Sequence, residues 1–206
     1  MDNLKILHAS DAFFHTKPEE YLETFLDYVD DSDADLIVLT GDMGFEELPR
    51  FRVPVIYTEG DFESITFGYT EPKQVFVSDY SVLILPHTPD KKDKEFIKQI
   101  HGEEIDIIIS PAAPIDTHFL KGNRAYELLF DIAYFRSPRL WLAGHYKFFP
   151  FYQSIVPVKS SRKKFCNVFG VNTSYGYIEE ITFDEKLNVK EFQLKRIFNG
   201  HGRKIF

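Results

Sequence analysis

A chain of 206 residues that is 44% hydrophobic, with 21 Phe, carries ample material for a core and is expected to form one domain over 1–206. Acidic side chains outnumber basic ones 32 to 24. The resulting net charge of −8 disfavours nucleic acid as a partner, because duplex affinity is mostly phosphate neutralisation. The single cysteine, Cys166, excludes an internal disulfide and a cysteine-rich zinc site. No apolar run approaches the ~20 residues that span a bilayer, and the chain opens on a strand, not a leader, so the expectation is a cytoplasmic protein without a membrane partner.

In chain order, Lys5–Ala9 reads as a strand. Glu19 to about Asp30 reads as a helix opened by Pro18, with Tyr21, Leu22, Phe25, Leu26 and Val29 on one face. Leu36–Thr40 is a strand, Phe45–Leu48 a short helical turn, Val53–Tyr57 a strand. Two strands follow near Val75–Val77 and Val82–Leu85, then a helix over Lys92–Ile100 and a strand over Ile105–Ile109. Arg124–Phe135 reads as a helix with a stripe of Ala125, Leu128, Leu129, Ile132 and Phe135, and Leu140–Ala143 as a strand. From Gln153 onward the pattern is strand and turn, with apolar residues alternating with charges in "YIEEITFD" and "VKEFQLKRI". The first two-thirds are therefore βαβ-like, with strands apolar enough to need cover on both faces, and the last third is antiparallel.

The strand ends carry the chemistry. The first strand delivers Asp11, the second Asp42, and the third Glu59, Asp61 and Glu63; the strand ending at Ala143 delivers His145 and Lys147. Strand C-termini are where open α/β sheets place ligands. Taken singly, an aspartate there is most often a turn or a helix cap. Clustered carboxylates repel each other unless a cation sits between them.

The order and spacing of "KILHASDAF", "DLIVLTGDMGF", "VPVIYTEGDFES", "IDIIISPAAPID" and "RLWLAGHYK" resemble the five blocks of the calcineurin-like metallophosphoesterase superfamily. The resemblance implies a four-layer α/β/β/α sandwich with mixed sheets and a dinuclear metal site at the strand ends. It also implies that the site is eroded. Phe13 stands at a ligand-histidine position, Asp61 at the ligand asparagine, Phe62 at the catalytic histidine, Pro111 at a ligand histidine and Lys147 at the last ligand histidine. What remains of the ligand set is Asp11, Asp42, Asp61 and His145, enough for no metal or for one divalent ion such as Mn, Zn or Fe.

The replacements have their own chemistry. A phenylalanine offers neither a lone pair nor a proton. A lysine at position 147 could supply the missing positive charge beside Asp11 or Asp42, or could simply point to solvent. His15 and His87 are the histidines placed to rescue the site, whereas His8, inside the first strand, reads as a packed, hydrogen-bonded histidine. Phe148, Phe149 and Phe151, with Phe13 near the same rim, suggest an apolar patch for a protein partner or a second copy. "KSSRKK", 159–164, reads as a solvated loop or a contact for a phosphate-containing ligand. Two functions stay open: a binding or scaffold module built on a catalytically impaired phosphoesterase fold, and a metal-dependent phosphoesterase working with a reduced site.

Overall fold

Strands apolar on both faces need two covers, and the fold supplies both. The computed structural model of the chain describes residues 3–60, 69, 71–85, 95, 105–114, 124–144, 150–159 and 165–199. Among them are eleven strands and two α-helices, α1 (Glu19–Asp31) and α2 (Arg124–Arg136). One sheet has the order β11-β10-β1-β2-β3, from Val189–Arg196, Tyr177–Phe183, Leu4–Ala9, Leu36–Thr40 and Val55–Thr58. The other runs β4-β5-β6-β7-β9-β8, from Lys73–Val77, Tyr80–Ile84, Ile107–Ser110, Leu140–Ala143, Phe165–Val171 and Phe151–Pro157. The sheets lie face to face, with β1 and β10 over β9 and β2 over β6 and β7.

Side-chain alternation distributes the core into three layers. Ile6, Leu36, Val38, Ile56 and Ile181 of the first sheet meet Val82, Ile84, Ile107, Ile109, Leu140, Leu142 and Phe169 of the second. The intervening residues Leu7, Ile37, Leu39 and Tyr57 face outward onto Phe25 and Val29 of α1. On the far side Leu83, Ile108, Trp141 and Val168 face Leu129, Ile132 and Ala133 of α2. The result is an α/β/β/α sandwich of mixed sheets, the architecture expected from the sequence. No helix among the described residues is long and apolar enough to cross a membrane.

Local chemistry sets the boundaries. Pro18 precedes α1, Glu19 and Glu20 favour its positive N-terminal end, and Ser32 closes it by donating from its hydroxyl to the Val29 carbonyl at 2.8 Å. Ser78 takes a left-handed φ of 52° in the tight β4–β5 turn.

Two expectations are corrected. Residues 45–48 form a bend and no helix: Pro49 follows at once, and Phe45 is drawn into the core against Phe14, centroids 5.7 Å apart. Phe135 does not point inward but is 62% exposed, because the buried face of α2 is set by Leu129, Ile132 and Ala133; the Lys159 ammonium lies 5.3 Å from its ring. Within the last third the pairings β8–β9 and β10–β11 are antiparallel, as expected, and β9 joins that third to β7 in parallel. The helix expected over Lys92–Ile100 lies outside the described residues.

Phe169 is fully buried between the sheets and stacks on Phe192 at 5.5 Å. Phe169→Ala is expected to cost about 3–5 kcal/mol, as large-to-small changes of buried aromatics do. Urea unfolding checks this, and a loss below about 1 kcal/mol would mean that the layer collapses around the gap.

Candidate functional site

Beyond the end of the β1–β2 pairing, backbone hydrogen bonds still join the loops that follow the two strands. Asp11 N–H donates to the Gly41 carbonyl at 3.0 Å, Phe13 N–H to Asp42 at 3.0 Å, Phe14 N–H to Met43 at 2.9 Å and His15 N–H to Gly44 at 3.1 Å. The ladder holds a strained backbone. Asp11, Phe13 and Asp42 have φ of 54°, 53° and 51°, and Gly41 has 86°. Asp tolerates the left-handed region, but Phe rarely adopts it. Such residues cost about 1–3 kcal/mol each and persist only where the surroundings over-determine them, as functional sites do.

The strand ends of both sheets meet at this point. Gly60, after β3, packs so closely that a Cβ there would lie 2.1 Å from Asp42 Oδ1. A Cβ on Gly41 would lie 3.1 Å from the Pro111 side chain after β6. Gly144, after β7, donates its N–H to the Pro111 carbonyl at 3.1 Å, and a Cβ on it would lie 1.8 Å from Ser10 Oγ and 2.3 Å from the Thr40 carbonyl oxygen. Asp11 and Asp42 are both buried, 1% and 2% exposed.

A polar seam leads from Asp11 into the layer between the sheets. Ser10 Oγ bridges Asp11 Oδ2 and the Thr40 carbonyl, 2.6 Å from each. Thr40 Oγ1 lies 2.8 Å from His8 Nε2, and His8 Nδ1 lies 2.7 Å from Glu179 Oε2. His8 and Glu179 face each other across β1 and β10 with no solvent exposure. Burial holds the Glu179 carboxyl above its ordinary range, against the opposing pull of His8. Ser10 and Thr173 lock the end beside Asp11, with Thr173 N–H donating to the Ser10 carbonyl at 2.7 Å. Among the described residues, Glu179 Oε1, Thr58 Oγ1 and Glu59 Oε1 are buried without a hydrogen-bond partner.

Of the residues singled out from sequence, the structure brings together the loops of Asp11, Phe13 and Asp42 with Pro111. His8 is the packed, hydrogen-bonded histidine expected. Phe13 is 5% exposed, so it is no surface ring and is withdrawn from the apolar patch; Phe151, 41% exposed, stays on the surface. His15 is exposed on the turn Phe14–Thr16, its ring 6.5 Å from that of Phe13. It is not gathered with the two aspartates, since among the described residues no three His, Cys, Asp or Glu side chains come together as a metal site. Asp61, Phe62, His87, His145, Lys147, Phe148 and Phe149 lie outside the described residues. Glu179 was not anticipated. Its signal was its phase: it shares the inward face of β10 with Ile181 and Phe183, where an apolar residue belongs.

Among the described residues, the rim offers a cation few donor atoms. Asp11 and Asp42 offer carboxylate oxygens, but Phe13 is an apolar ring with its backbone fixed to Asp42, and Pro111 carries no donor atom on its side chain.

No family model matches the sequence, and no curated protein matches it. Solved structures do. A Thermus thermophilus protein, TT1561, is 12% identical with a TM-score of 0.61, over 96% of this chain and 100% of that one. The NAD nucleotidase of Haemophilus influenzae is 9% identical with a TM-score of 0.53, over 93% of this chain and 49% of the other. A 5'-nucleotidase precursor from Thermus thermophilus is 12% identical with a TM-score of 0.51, over 94% and 54%. The chain thus spans about half the length of each nucleotidase. At these identities the likeness shows the fold, a metallophosphoesterase-type sandwich, and no activity.

Two outcomes test the site's construction. Gly144→Ala is expected to destabilise by several kcal/mol, on the order of the cost of other overpacked sites, because the Thr40 carbonyl is backbone and cannot give way; an unchanged thermal midpoint would show that the two sheets can separate there. The second concerns pH. In the unfolded chain Glu179 ionises near 4.5, but in the fold it holds its proton to higher pH. The folded state is then the more protonated one, so stability falls as pH rises from about 4.5 through the folded value, then levels. Glu179→Gln removes that fall, which urea midpoints from about pH 4 to about pH 8 measure. A variant with the wild-type slope would place the titration elsewhere.

Proposed function

We propose that this metallophosphoesterase-type sandwich belongs to the calcineurin-like superfamily with its dinuclear site eroded, and that it acts as a binding or scaffold module in place of a hydrolase. The observation that carries the reading is Phe13. It occupies a strand-end ligand position, is buried, and has its backbone held in the left-handed region by the Asp42 carbonyl. A ring held there excludes an ion and its waters from the position where a nitrogen ligand would sit. Pro111 against Gly41 does the same at a second position. Lys147 would supply positive charge to Asp11 or Asp42 in place of an ion, and Phe148, Phe149 and Phe151 would contribute to a partner surface.

A second reading is supported by the same rim. Asp11 and Asp42 keep a strained, buried geometry that a turn does not require. With Asp61 and His145 they would hold one divalent ion, whose chemistry would be to polarise a phosphoester oxygen.

Metal content and turnover separate the two. Purified without chelator and incubated with excess manganese, the chain is expected to retain no more than about one ion and to leave a generic phosphodiester intact. Phe13→His, Phe62→His, Pro111→His and Lys147→His together are expected to raise the bound metal. Wild-type hydrolysis that Asp42→Asn abolishes would make the chain an enzyme and remove the module reading.

A further inference from the structure

Four adjacent strands of the first sheet each put a polar residue on their inward face near the strand-end rim. Alternation with Ile6, Val38, Ile56 and Ile181 turns His8, Thr40, Thr58 and Glu179 toward the second sheet. The pairings of Glu179 with His8 and of Thr40 with Thr58 set them in a row along the strand order β10-β1-β2-β3. All four are buried. The row is hydrogen-bonded from Glu179 through His8 to Thr40, and there it stops. Thr58 Oγ1 is buried and, among the described residues, has no hydrogen-bond partner, not even the Thr40 hydroxyl on the neighbouring strand.

A hydroxyl has one proton to place. If His8 donates at Nε2, the Thr40 proton points onward and needs an acceptor. If Thr40 donates to Nε2, its own proton is placed, but the Thr58 proton still needs an acceptor. Either polarity leaves a buried O–H to be satisfied, and native interiors seldom leave one unsatisfied. The facing side chains of the second sheet, Ile84, Ile109 and Leu142 among them, are apolar and cannot answer it. A water molecule both accepts and donates, so a single one closes the row in either polarity. We propose that one internal water is bound between Thr40 Oγ1 and Thr58 Oγ1 as a lasting member of the fold. It carries the hydrogen-bonded row from β10 across to β3. Gly60, two residues beyond Thr58, packs on Asp42, so the water ties the third strand end into the row that also reaches Asp11. The inference goes beyond the module reading, since it stands whether or not the strand-end rim holds an ion.

Magnetic relaxation dispersion of water in solutions of the full chain counts its long-lived internal waters and tests the site. Thr58→Val keeps the side-chain shape and removes the hydroxyl. It is expected to lose one such water relative to the wild type and to lower the urea midpoint, because the Thr40 hydroxyl and the water lose a partner. Thr58→Ser retains a hydroxyl and is expected to keep the wild-type count. A high-resolution crystal structure of the wild type, which needs no variant to fold, is expected to show a water within hydrogen-bond distance of both Oγ1 atoms. An unchanged water count in Thr58→Val overturns the proposal. So does a raised midpoint, since deleting a hydroxyl that has no partner relieves the fold. A crystal structure with the two hydroxyls bonded directly to each other, or with a cation between them at about 2.3–2.6 Å, overturns it as well.

Discussion

The layer between the two sheets is the constraint from which the rest follows. Strands such as Leu36–Thr40, buried at all five positions, cannot be stable on a half-exposed sheet. They require one sheet against their inner face and a helix against their outer one, and Ile6, Val38, Ile109 and Leu142 interdigitate to give it. Because β1, β2 and β3 run parallel to each other, as do β5, β6, β7 and β9, their C-terminal ends emerge at common rims. Where the rims meet, the apolar layer gives way to His8, Thr40, Ser10 and Asp11. The candidate site is the end of the core, not an addition to it.

That placement explains why the polar seam is tolerable. A glutamate and a histidine buried with no exposure are costly unless each finds a partner. Glu179 and His8 find each other across adjacent strands, Thr40 takes the second histidine nitrogen, and Ser10 relays to Asp11. The seam runs from the aspartates at the rim to β10 in the core. Glu179 and Asp11 are thus linked by a chain of side chains and one carbonyl, with no contact between the two.

Much of the fold could be read from the sequence because strand and helix periods are local properties. The bounds of α1 follow from Pro18 and the spacing of Phe25 and Val29, and β7 from four consecutive apolar residues between Arg139 and Gly144. What could not be read depends on partners distant in the chain. Phe135 fits the stripe of α2 on spacing alone, yet the helix is rotated so that Ala133 takes the buried place. Glu179 looked like one of many charges in an alternating strand until its partner, 171 positions away, put it in the core. Phe13 looked like a ring for the surface because nothing local announces a left-handed backbone that turns it inward.

The four hydrogen bonds that join 11–15 to 41–44 have a consequence in time as well as in space. Loops at strand ends are ordinarily the segments that open first, exposing their amides on fast local excursions. Here the two loops stay joined by backbone hydrogen bonds just beyond the β1–β2 ladder. The amide protons of Asp11, Phe13, Phe14 and His15 are held by these bonds, and their exchange with solvent water is tied to parting of the two segments. Asp11 and Asp42 are thus clamped on the slow clock of the core. Whatever meets them must fit a rim that is already shaped, at a rate set by its own approach and not by a loop's rearrangement.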